Sequence, residues 1–170
     1  MLRLPSWCER PALAVGGRPA SADLTPGGYA VVRRVWRPGE VVELSLPMPV
    51  RRLASHPRVL ANAGRVALQR GPLIYCVEGV DHPGVDVWDL VLPADAALVP
   101  AWEPGLLGGV VALRGEAATA ERPGWSGALY HLAGDEPNPL RPAQFTAIPY
   151  CVWANRAPGP MQVWIGARPI

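Results

Sequence analysis

Two apolar runs, Val66–Leu68 and Leu73–Val77, stand either side of an Arg70-Gly71-Pro72 break. Short runs without polar alternation fit strands buried on both faces, and a Gly-Pro pair between them fits the corner that joins them. Similar punctuation runs through the whole chain. Its 21 prolines and 18 glycines lie between apolar segments and form no low-complexity block. Breakers at that density leave little room for helices of about 10–12 residues. Hydrophobic residues make up 49% of the 170, against 18% charged, so the chain can fold around a core. The pattern predicts an all-β protein, an antiparallel β-sandwich of many short strands.

Ala12–Val15 reads as a first short strand. Tyr29–Trp36 and Val42–Met48 then read as a hairpin around Arg37-Pro38-Gly39-Glu40, which has the chemistry of a type II turn. Gly64–Glu78 supplies the strand–corner–strand unit, and Gly79–Gly84 a loop. Leu106–Leu113 reads as a strand bent at Gly108-Gly109, and Gly115–Pro142 as mostly loop. Order returns in Gln144–Trp153 and Met161–Ile165. The change of texture after Glu78 places a soft boundary near residue 86. The expected division is therefore two small sandwich units, 1–86 plus 159–170 and 87–158, with the last strand returning to the first unit.

A net charge of +2 gives no footing for nucleic acid or an anionic membrane surface. All 16 basic residues are Arg, and the doublets Arg33-Arg34 and Arg51-Arg52 suit solvated faces. No stretch approaches the ~18 uninterrupted apolar residues of a membrane span. Met1–Trp7 has neither the charged nor the apolar region of a secretion signal. With Met1 as the true start, the expected location is the cytoplasm.

The chemistry-bearing residues form no familiar constellation. Cys8, Cys76 and Cys151 are scattered, and the latter two sit in strand-like runs where Cys packs as a small hydrophobe. His56, His82 and His131 lack metal-ligand spacing and read as surface or loop residues. Gly124-Trp-Ser126-Gly127 falls one residue short of a nucleophile elbow. Glu78, Asp81, Asp86, Asp89 and the Asp135-Glu136 pair supply carboxylates, but a glycosidase needs two facing one bond, and the sequence places no two so. They read as solvated loop groups. Of seven Trp, Trp36, Trp88, Trp102, Trp125 and Trp153 are sugar-stacking candidates, although burial or interdomain packing is the commoner fate. No catalytic, cofactor-binding or metal-binding residue is assigned.

Tyr29–Met48, followed by Pro49-Val-Arg51, His56-Pro57 and Gly64–Glu78, resembles the β-sandwich region of glycoside hydrolase family 127, the β-L-arabinofuranosidase group. Phe145–Arg156 and Gly159–Ile165 resemble that family's C-terminal end, with Cys151 where an aromatic residue often stands. The resemblance implies an N-terminal catalytic (α/α)6 barrel followed by two β-sandwich domains. It also implies a zinc-bound cysteine nucleophile with further Cys and Glu ligands, all in that barrel. This chain has neither the adjacent cysteine pair nor a barrel-like run of helices, so no catalytic or metal residue is carried over and zinc is expected only in the barrel. The expected role is a non-catalytic portion bracing that barrel. The alternatives are a free-standing carbohydrate-binding sandwich and a structural interaction module.

Overall fold

The structure is a computed structural model, and it describes residues 1–120, 129–130 and 140–167. Strands and 3-10 turns of three residues are its only regular elements among the described residues. Among the described residues no helix is long and apolar enough to cross a membrane. The chain divides into two units, residues 1–49 with 70–72, and residues 50–69 with 73–170.

The first unit carries β1 (Leu2–Arg3), β2 (Ala12–Val15), β3 (Arg18–Pro19), β4 (Tyr29–Ala30) and β5 (Val42–Ser45). β1 pairs with β4, while β3, β2 and β5 form a separate three-stranded sheet. Leu4, Leu13 and Ala30 make its small core, with Leu24 and Leu44 packed against it. The expected Tyr29–Trp36/Val42–Met48 hairpin does not form. Its turn does, because Pro38 precedes Gly39 at φ +85° and Glu40 N–H reaches the Arg37 carbonyl. The strands, however, take other partners. Val41 gives its carbonyl to Gly16 N–H, and the register Leu13↔Leu44 brings two core leucines together. Residues 31–41 join no strand: Arg34 pairs with Glu40 at 2.6 Å and lies over the Trp36 ring, and Val35 is 88% exposed. Strand propensity in this run yields to burial elsewhere.

The second unit holds β6 (Val50–Leu53), β7 (Arg65–Arg70), β8 (Leu73–Glu78), β9 (Leu90–Leu92) and β10 (Leu98–Glu103). It continues with β11 (Val110–Ala120), β12 (Leu140–Pro149), β13 (Met161–Gln162) and β14 (Ile165–Ala167). The Gly64–Glu78 strand–corner–strand stands as expected, and Cys76, Val77 and Glu78 are all buried. Six strands pair in a closed ring, β7–β8–β12–β11–β9–β14 and back to β7. The long strands β11 and β12 make this possible by changing partners along their length. β12 pairs β11 up to Ala147 and then β8 at Ile148 and Pro149. β11 pairs β10 at one end and β9 at Ala118 and Thr119. The sandwich layers are thus laced by hydrogen bonds at both edges, which leaves the ring without a free edge. Every ring strand sends side chains into one core, among them Leu68, Tyr75, Leu90, Leu113, Phe145 and Ile165.

Four expectations meet a different arrangement. The boundary near residue 86 lies inside this unit, because β7, β8 and β9 belong to the same ring; the division falls at residue 49. The C-terminal strands do return to residues 65–78, β13 on β8 and β14 on β7, but within the second unit. Leu106–Gly109 is the turn of a β10–β11 hairpin, with Leu107, Gly108 and Gly109 all at positive φ, and not the start of a strand. The described parts of Gly115–Pro142 are largely strand, since β11 runs to Ala120 and meets β12 from Leu140. Ala and Gly give that stretch little intrinsic strand preference, so pairing with β12 decides it.

Candidate functional site

The densest polar cluster of the second unit forms where the chain leaves β12, passes the end of β8 and returns as β13. β12 bonds to β8 at Tyr75 and Cys76, and β13 bonds to it at Val77 and Glu78. The twelve residues between Pro149 and Gln162 must therefore cross from one flank of β8 to the other. Gly79 helps, because its N–H donates to the Pro160 carbonyl at 2.8 Å and a Cβ there would meet the Pro160 ring at 3.0–3.1 Å.

Arg156 locks the crossing. Its guanidinium donates to both Asp81 oxygens, at 2.7 and 2.6 Å, and to Glu78 Oε2, at 2.5 and 3.2 Å. Glu78 Oε1 accepts the Ala154 N–H at 3.1 Å, where Ala154 holds a φ of +62°. Glu78 is only 6% exposed, so its charge depends on these partners. The Asp81 hydrogen bonds, ahead of those from Glu78, hold the Arg156 guanidinium more firmly protonated than usual, against the effect of burial. Glu78 and Asp81 are thus not the solvated loop carboxylates expected from sequence. Both face one cation and leave no gap for a glycosidic bond between them.

His82 is likewise a core residue and no surface histidine. Thr146 N–H donates to its Nε2 at 3.3 Å, which assigns the proton to Nδ1, donating to the Glu78 carbonyl at 2.8 Å. Its ring meets Phe145 edge-on at 6.3 Å. His56 accepts the Arg58 N–H at its Nδ1, and Asp86 caps a 3-10 turn by accepting the Trp88 N–H. His131, Trp125, the Gly124–Gly127 motif and Asp135-Glu136 lie outside the described residues. Above the cluster, the Tyr150 and Trp153 rings stack 5.8 Å apart at 9°, both exposed. Trp36, Trp88 and Trp102 are exposed as well, so none of the described sugar-stacking candidates belongs to a core.

The cysteines divide. Cys8 and Cys76 are buried, as small hydrophobes are, whereas Cys151 lies exposed in the 3-10 turn Tyr150–Val152 and not in a buried strand. Burial, reinforced by the Glu78 charge, pushes the Cys76 thiol from about 9 up to about 12. Two results are expected. A thiol reagent titrates one group in the native chain, and Cys151→Ser abolishes that reaction. Between about pH 9 and 12 the unfolded chain gives up a proton that folded Cys76 keeps, so stability is complete below this window and falls as pH rises through it. Cys76→Ala removes that alkaline slope, which urea midpoints measured across the range read directly.

Nucleophile–base geometry is lacking among the described residues, and no three His, Cys, Asp or Glu gather there as a metal-ligand set. Fold and cluster together define a two-unit β-protein whose main polar centre fastens backbone. Family models extend that description. Residues 50–166 match the C-terminal domain of glycoside hydrolase family 127, and residues 1–48 match its β-L-arabinofuranosidase middle domain. The chain belongs to glycoside hydrolase family 127. The junction of the two matches falls where the structure divides.

Over 96% of its length the chain is 40% identical to a non-reducing end β-L-arabinofuranosidase of Bifidobacterium longum subsp. longum, of which it covers 25%. A crystal structure of a family 127 β-L-arabinofuranosidase from Geobacillus stearothermophilus T6 matches 98% of the chain, with TM-score 0.86 and 42% identity; the chain covers 26% of it. A further solved glycoside hydrolase matches 97% of the chain at TM-score 0.85 and 36% identity, with 27% of it covered. The chain spans about a quarter of the length of these relatives.

Proposed function

We propose that this chain is the non-catalytic β-rich portion of a β-L-arabinofuranosidase-type glycosidase, and that it braces a catalytic (α/α)6 barrel. One observation carries the reading: nearly all of the chain matches the middle and C-terminal domains, while about three-quarters of each relative lies outside the match. The site chemistry agrees. Catalysis of this class in the family's barrel would call for zinc with thiolate ligands. Here the donors do not suit it, since Cys76 is a buried, reluctant acid and Arg156 occupies both neighbouring carboxylates. No reaction step is therefore assigned to these residues.

A chimera tests the reading. The matching quarter of the Geobacillus stearothermophilus enzyme is replaced by this chain, and hydrolysis of an aryl β-L-arabinofuranoside is followed. The chimera is expected to retain activity that outright deletion of the quarter destroys, and the chain alone is expected to show none. Zinc-dependent turnover by the chain alone would overturn the proposal, as would full activity of the deletion. The four exposed tryptophans favour a second reading, a sugar-binding sandwich, which binding isotherms with arabinan-type oligosaccharides address.

A further inference from the structure

Trp88 stands apart from the other exposed tryptophans in how firmly it is mounted. It is 53% exposed, yet it sits at the centre of the 3-10 turn Val87–Asp89. Asp86 caps that turn from the N-terminal side by accepting the Trp88 N–H at 3.0 Å. Val87 beneath it is fully buried, and the Val87 carbonyl accepts a hydrogen bond from the side-chain amide of Gln162. Gln162 is itself only 4% exposed. Its other end, Oε1, accepts from Arg65 Nη1 at 3.0 Å, and the same Nη1 donates to the Trp164 carbonyl at 2.9 Å.

A buried amide therefore links the backbone of the turn that carries Trp88 to the Arg65 guanidinium. The hydrogens of Arg65 Nη1 are used, while Nη2 and Nε have no hydrogen-bond partner among the described residues. Asn62, on the 3-10 turn Leu60–Asn62, likewise has no side-chain partner among them. Trp88, Trp164, Arg65, Asn62 and Gln162 line one cavity of about 410 Å³. That volume lies within the usual range of small-molecule sites, about 300–1,000 Å³. Asn62 and Arg65 also line a second, more apolar cavity of about 550 Å³, so the two share a polar rim.

We propose that this cavity is a subsite for one residue of a neutral glycan. A sugar ring offers an apolar C–H face and hydroxyls around its edge. The indole of Trp88 supplies a flat apolar surface for the first. Arg65 Nη2 and Nε and the Asn62 amide supply donors, and the Asn62 oxygen an acceptor, for the second. Ordering costs are lowered because Gln162 already ties down the backbone of the Trp88 turn and the Arg65 guanidinium. The subsite is independent of the bracing role, and its test does not involve the chimera.

The test is calorimetric titration of the 170-residue chain with L-arabino-oligosaccharides of two to four residues, alongside the variants Trp88→Ala, Asn62→Ala and Trp102→Ala. Trp88 and Asn62 lie outside both cores, so the variants are expected to melt with the parent chain. The expected result is saturable binding that weakens at least tenfold in Trp88→Ala and Asn62→Ala and is unchanged in Trp102→Ala. Absence of saturable binding by the parent chain would overturn the proposal. So would undiminished binding by Trp88→Ala.

Discussion

Arg156→Met is expected to destabilise the second unit by about 3 kcal/mol, at the lower end of what removing one partner of a buried pair costs. The variant leaves Glu78 and Asp81 facing each other across the space that the guanidinium filled, with two negative charges and no cation. Glu78 has little access to water with which to replace the lost bonds. It still holds the Ala154 N–H, so the damage should centre on residues 149–162 and on the β8–β13 pairing. Urea unfolding gives the magnitude, and hydrogen exchange at Val77 and Glu78 gives the location. Adding Glu78→Gln and Asp81→Asn to Arg156→Met should recover most of the loss, because neutral amides remove the orphaned charges. A loss below about 0.5 kcal/mol in Arg156→Met would place the cluster with exposed surface pairs, whose worth is small. Arg156→Lys is expected to fall between the two, since an ammonium cannot donate to two carboxylates with the planar fork that Arg156 uses.

Parts of this architecture were legible in the sequence for local reasons. The apolar runs either side of Gly71-Pro72 need no knowledge of partners to read as strands, and Pro38-Gly39 forms its turn from backbone preference alone. Where strands pair with something distant, the signal fails. Val42–Ser45 joins Ala12–Val15 with 26 residues between them, and nothing in the intervening valines marks that choice over a hairpin. The Gly115–Ala120 part of β11 is spelled largely in Ala and Gly and becomes strand through its pairing with β12. The ion cluster was hidden for the same reason. Glu78 and Arg156 lie 78 positions apart, and only the β12–β8–β13 arrangement brings them together. The block Phe145–Arg156 shared the family resemblance with Tyr29–Met48 and Gly64–Glu78 but carried no sign that its final arginine reaches back to β8. Trp88 and Arg65 likewise come together only through Gln162, 97 positions from Arg65 and 75 from Val87.

Phe145→Ala is expected to cost about 3–5 kcal/mol, the usual range for emptying a large aromatic site. Phe145 is the only phenylalanine of the chain and is almost completely buried in a core to which all six ring strands contribute. Its loss removes apolar contact and also the edge-on support of the His82 ring, whose two hydrogen bonds join the β8 end to Thr146. Phe145→Leu keeps much of the volume and should cost about 1–2 kcal/mol. The distribution of the damage is more telling than its size. In an open sandwich of separable sheets, the cavity would weaken chiefly the strands beside it. In a closed ring around one core, protection against hydrogen exchange should fall together in β7, β8, β11 and β12, and on β14 as well, because its antiparallel link to β7 and parallel link to β9 close the circuit. Exchange that stays slow at Ile165 and Gly166 while β12 opens would show that the β9–β14–β7 side holds without the other, and that the ring is hydrogen-bonded but not cooperative.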